Sequence, residues 1–235
     1  MRRLFFEKAD YMKKISSLLL IIIIILSLSA CETAVMKSAV ESAAPTDFEI
    51  GVLKEEGSGA EAALRDELNA LEEPFGLIKG DKYYNIHLGL VFNLPEGWSY
   101  FDSSVLYNAS ANGEFKEDGL SYEFAARSGD GVRYIILLIE DMRENDKNSF
   151  VSEKIYQKQI VNDLTGFNSA YKKLSVGTRS IGAYKYSVLY MKAPDDGLFE
   201  SYFSLRFGNY MVNIICRDKV EKAGYTLFKN FEEFE

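Results

Sequence analysis

The dipeptide Gly208-Asn209 constrains this chain more than any other feature. It sits between two runs of alternating apolar character, Phe199–Phe207 and Tyr210–Cys216. A two-residue loop that opens with glycine joins antiparallel strands, because only a tight turn with positive φ matches their twist. Phe199, Phe203, Leu205 and Phe207 fall on one face of the first strand, since strand side chains alternate with period two. Val212, Ile214 and Cys216 share a face of the second.

The same local logic recurs upstream. Leu88, Leu90, Phe92 and Leu94 form an alternating face that Pro95 ends, since proline has no N–H for the ladder. Glu96-Gly97 turns the chain and returns Trp98, the only tryptophan, to that face as a core aromatic; the alternative is a ligand groove. Lys82–Asn85 is expected as an edge strand pairing with Leu90–Leu94. Leu120, Tyr122, Phe124 and Ala126 predict a strand with one wet face. Val132–Ile139 is nearly continuous in apolar residues, as in a central strand covered on both sides. Leu174, Val176 and Thr178 begin another strand, followed by an Ile181-Gly-Ala183 turn. Tyr184, Tyr186, Val188 and Tyr190 share a face of the next, and Pro194-Asp-Asp-Gly197 turns again.

Helical spacing appears in three places. Phe150–Thr165 is the main helix, with Val151, Ile155, Ile160 and Leu164 as its buried stripe and Gly166 beyond its end. Asp102–Asn112 is weakly helical behind an Asp-Ser-Ser start. Val220, Ala223, Leu227, Phe228, Phe231 and Phe234 form a stripe on a terminal helix, opened by Asp218 and Glu221 at capping-box spacing. Strands joined mostly by hairpins rather than helical crossovers make an α+β fold, an antiparallel sheet with packed helices.

Three spans follow from composition. Residues 1–30 have the layout of a secretory signal. Arg2, Arg3, Lys8, Lys13 and Lys14 precede an apolar run, Leu18–Leu26, which is shorter than the ~20 residues of a spanning helix. Leu28-Ser-Ala-Cys31 follows. Residues 31–80 read as a tether rich in Ala, Ser, Thr and Glu. It holds one short amphipathic helix, marked by Ser58-Gly-Ala-Glu61, Leu64, Leu68 and Leu71, and stopped by Pro74. Residues 81–235 are long enough for one domain with its own core.

Leu28–Cys31 resembles the lipobox of bacterial lipoproteins at all four positions. The resemblance implies diacylglycerol on Cys31, cleavage before it, and a place on the extracytoplasmic face of a bacterial cell membrane. Two acyl chains hold a protein stably, one only marginally. The net charge of −8 becomes −11 once residues 1–30 are removed. So acidic a domain is repelled by an anionic bilayer and lacks the basic surface that nucleic acid requires.

Tyr84-Asn85 … Leu88-Gly-Leu90 … Phe92 … Pro95 … Gly97-Trp98 resembles the opening of PsbP-like domains. The order of hairpins, helix and Ile-Gly-Ala turn that follows is also similar, over about residues 81–235. The resemblance implies an α/β/α sandwich and a docking module. The family's best-known member is an extrinsic photosystem II subunit, a Ran-binding relative shares the fold, and related domains occur in bacterial lipoproteins without assigned activity. It transfers no functional residue to this chain.

Chemistry-bearing patterns are few. With His87 the only histidine, an H-E-x-x-H zinc site is impossible, and no metal site is expected. No G-x-S-x-G elbow or phosphate loop occurs. Gly57-Ser-Gly59-Ala-Glu-Ala62 matches a dinucleotide pattern, but Glu55, Glu56 and Glu61 would repel phosphate, so no cofactor is expected. Glu140, Asp141, Glu144 and Asp146 lack calcium-loop spacing and read as a solvated turn. Cys216 reads as a buried apolar residue. The expected function is a lipid-anchored binding or docking module without catalytic activity. Its partner, a protein or small molecule, is unidentified, and the fifteen tyrosines offer a peptide- or sugar-binding face. The alternatives are an accessory subunit of an envelope or transporter complex, and a hydrolase using paired carboxylates.

Overall fold

The structure is a computed structural model that describes residues 57–101, 119–144, 151–195, 197–221, 227 and 229–234. Cys31, Phe48–Leu53 and Asp102–Asn112 lie outside them. Leu68–Glu235 forms a compact unit that carries every described strand; Met1–Glu67 forms another.

The first helix, α1, is Gly57–Asn69, and the glycines of the dinucleotide-like pattern lie inside it. Eleven strands follow: β1 Leu77–Lys79, β2 Lys82–Asn85, β3 Leu90–Asn93, β4 Trp98–Tyr100, β5 Leu120–Ser128, β6 Tyr134–Asp141, β7 Lys172–Ile181, β8 Tyr184–Lys192, β9 Phe199–Phe207, β10 Tyr210–Asp218 and β11 Phe231–Glu233. The second helix, α2 (Glu153–Phe167), joins β6 to β7. Described pairings are all antiparallel, in two sheets. The small sheet runs β1-β2-β3-β11, and the large one runs β4-β5-β6-β10-β9-β8-β7. The fold is α+β with an antiparallel sheet and packed helices, as the hairpin spacing requires. The Gly208-Asn209 hairpin pairs Phe207 with Tyr210, and Gly208 takes φ +55°.

The core lies between the sheets. Tyr83, Leu90 and Phe92 from the small sheet meet Phe124, Ile135, Leu137, Val188, Phe203, Val212 and Ile214 from the large one. Cys216 is buried among them, and burial pushes its thiol up, which suits an apolar role. The hub is Phe124, whose ring stacks on Phe92 at 4.8 Å and contacts Tyr83 and Tyr100. Trp98 is not the hub. It starts β4 at the sheet edge, half-buried, with the Arg133 guanidinium 5.6 Å from its ring.

Three further expectations are corrected. Leu120–Ser128 has no wet face: it lies between β4 and β6 and is buried on both sides, with only Glu123 and Arg127 half-buried. Phe231 is on a strand, not a terminal helix, because its register on Phe92 completes the small sheet. The main helix buries the expected stripe only in part. Leu164 is buried as expected, but Ile155 is 52% exposed and Gln157 is buried in its place. The sheet face beneath explains the exchange, for it presents Ser204 and Asn213, which need hydrogen bonds rather than methyl groups. Tyr156 Oη accepts from Asn213 Nδ2 and donates to Glu140 Oε2 at 2.8 Å; Gln157 Nε2 donates to the Ser187 carbonyl at 2.7 Å. Gly166 lies within the helix, and Asn168 is the C-cap.

Candidate functional site

On its outer face the large sheet is only partly covered. Helix α2 packs over β8 and β9, and a groove of about 570 Å³ opens between it and β7. Val176 and Thr178 of β7, with Ser187 and Leu189 of β8, line the floor in register, Val176 opposite Leu189 and Thr178 opposite Ser187. Gln157 closes the inner wall. Lys154 and Lys158, one turn apart on α2, rim one side, and Lys173 stands at the start of β7. Among the described residues, none of these lysines has a carboxylate within ion-pair distance. In a chain of net charge −8, three unpaired cations around an apolar floor form a local field opposite in sign to the whole. Val176 is 60% exposed and Leu174 40%.

The same outer face carries a second cation that is buried and ion-paired. Arg217 is buried on β10 between Tyr134 of β6 and Glu200 of β9. Its Nη2 meets Asp195 Oδ2 at 2.7 Å and its Nε lies 3.4 Å from Glu200 Oε1. Tyr202 Oη donates to Glu200 Oε2 at 2.5 Å and Tyr134 Oη to Oε1 at 3.3 Å. Burial pushes the Glu200 carboxyl up, against the pull of the guanidinium. Asp195, expected only to shape a turn, is therefore an ion-pair partner. Asp195 and Glu200 do converge, but on Arg217, and so they are not an open acid–base pair.

A third polar cluster ties the two sheets together. A bulge between Tyr122 and Phe124 leaves Glu123 unpaired on β5. Its Oε2 accepts from Gly76 N–H at 2.8 Å and from Tyr83 Oη at 3.0 Å, and Oε1 accepts from Ser121 at 3.2 Å. Asn85 donates to Tyr83 Oη and accepts from Leu88 N–H. A side chain at Gly76 would collide with the Tyr83 hydroxyl and the Tyr84 carbonyl, so the loop requires glycine there. Burial pushes the Glu123 carboxyl up to about 7, although all three donors hold it down.

Other sequence-selected residues are placed as follows. His87 sits in the turn before β3. Asp141 ends β6, and its carboxylate is gripped by the Arg143 guanidinium, with the nearest contact at 2.6 Å. The described residues contain no cluster of three His, Cys, Asp or Glu side chains fit for a metal. Lys154, Lys158 and Lys173 escape sequence reasoning altogether, since an unpaired lysine looks like any other.

No family model matches the chain, and no curated protein matches it. Among solved structures it is similar to cyanobacterial PsbP (CyanoP) from Synechocystis sp. PCC 6803, at 12% identity and a TM-score of 0.43, over 65% of this chain and 91% of that one. It is also similar to a crystal structure from Bacteroides thetaiotaomicron VPI-5482, at 12% identity and a TM-score of 0.36, over 70% of this chain but only 50% of that one. The Ran-binding protein Mog1p of Saccharomyces cerevisiae is similar at 19% identity and a TM-score of 0.32, over 63% of this chain and 91% of that one. A PsbP thus stands among the similar structures, as the Tyr84–Trp98 resemblance implies. At these identities and scores the likeness says nothing of partner, ligand or activity.

Proposed function

We propose that this chain is a binding module without turnover of its own, held by lipid on Cys31 at the extracytoplasmic face of a bacterial membrane, with the groove between α2 and β7 as its docking site. The observation that carries the reading is the set of three unpaired lysines around the Val176–Leu189 floor. Elsewhere on that face a buried cation is ion-paired with Asp195 and Glu200, whereas these three stay open to a partner of opposite charge. The convergence of Asp195 and Glu200 on Arg217 favours binding over a paired-carboxylate hydrolase. The matched lipobox supports the anchor.

The test is made on the full chain in its own cells. A photocrosslinking residue at Val176 is expected to form a discrete adduct that K154E/K158E/K173E abolishes. Mass analysis is expected to find thioether-linked lipid on Cys31, and Cys31→Ala to leave an unprocessed precursor. No adduct at Val176, together with hydrolysis of peptides or glycans by the purified chain, would sink the reading.

A further inference from the structure

We infer that the groove takes an extended, acidic segment of a partner protein, added as a new strand on the outer edge of β7. The inference rests on the binding reading above and names the partner's chemistry.

Strand β7 ends the large sheet, and among the described residues it pairs with β8 alone. Every second residue of such a strand turns its N–H and C=O away from its one neighbour, and these groups are a template for another chain. The far end of β7 is closed by the turn at Ala183, which abuts Gly89. The stretch Lys172–Thr178 is open, with six of its seven residues exposed.

Charge selects the occupant. β7 carries Lys172, Lys173 and Arg179 and no acidic residue. Pairing with a second copy of β7 would set lysines against lysines, whereas an acidic strand would neutralise Lys154, Lys158 and Lys173 together. Spacing agrees. Lys154 and Lys158 are separated by about 6 Å along the helix axis. Same-face side chains on an extended strand repeat every ~7 Å. Carboxylates at alternate positions of the incoming strand therefore face successive lysines, with their methylene stems over Val176, and its apolar residues turn to the opposite face.

The probe is an end-blocked octapeptide of alternating Glu and Val, titrated against the full chain in detergent micelles. Three controls accompany it: the same residues in two blocks, a Lys–Val alternation, and the Glu–Val peptide N-methylated at every second residue. The expected result is that the alternating Glu–Val peptide binds at least tenfold tighter than each control. Its binding slows amide exchange within 172–178, and K154E/K158E/K173E weakens it at least tenfold without moving the melting temperature. Equal binding of the block peptide, protection elsewhere than β7, or self-association of the chain through β7 overturns the inference. If no peptide binds while the Val176 adduct persists on cells, strand addition falls and the binding reading stands. If the adduct is absent as well, both fall.

Discussion

The outer face of the large sheet holds two cationic sites built to opposite specifications. Arg217 lies between two strands, and its guanidinium reaches Asp195 and Glu200. Lys154, Lys158 and Lys173 rim a groove over β7 and β8, and no described carboxylate answers them. Burial accounts for the difference. A cation removed from water must be paired or it costs several kcal/mol, so Arg217 has partners from neighbouring β9 and from the turn before it. Lysines with solvated ammonium groups carry no such obligation and can stay open. The closed site therefore belongs to folding, and the open one is left free for the recognition proposed above.

The contrast breaks first at Arg217. R217M strands Glu200 as a buried carboxyl without its cation, and a destabilisation of about 3–5 kcal/mol is expected. The double variant R217M/E200Q should recover much of it in urea unfolding. A single variant that melts like wild type would show the closed site to be as dispensable as the open one. For scale, F124A removes the hub between the sheets and should cost about 3–5 kcal/mol. W98A, truncating a half-buried ring at the edge of β4, should cost clearly less, and the reverse order would restore Trp98 to the centre of the core.

Glu123 lies between the two extremes, since its carboxyl is held at about 7, above its value in the unfolded chain. A raised carboxyl stabilises the fold fully below about pH 4.5 and loses that contribution as pH climbs through 7. The loss approaches about 3 kcal/mol by pH 8. E123Q should flatten the stability profile between pH 4.5 and 8 and make the chain more stable than wild type at pH 8. A variant that keeps the wild-type slope would place the titrating group elsewhere.

The hairpins were legible because they are local. Phe207-Gly-Asn-Tyr210 needs only alternation and a turn, and the α+β class follows from a series of such pairs. Contacts across strands were not legible. Arg217, Glu200 and Tyr134 come together only through the register of β6, β10 and β9, so Asp195 read as a turn residue. Helix α2 misled for a related reason: its buried Gln157 answers a carbonyl on β8, and nothing within the helix announces it. The spacing of Phe231 from Leu227 suits a helix. The pairing of Phe231 with Phe92 bridges almost the whole domain.

The smallest effect on stability belongs to the open site. Reversing charges on solvated lysines away from the core usually moves stability by less than ~0.5 kcal/mol each. The most direct measurement is therefore the yield of the Val176 photocrosslinked adduct on intact cells, for the wild-type lysines and for K154E/K158E/K173E, each paired with a thermal melt. The account predicts a discrete adduct that falls at least tenfold in the triple variant while the melting temperature holds. An adduct of unchanged yield, or a triple variant that unfolds, would contradict it.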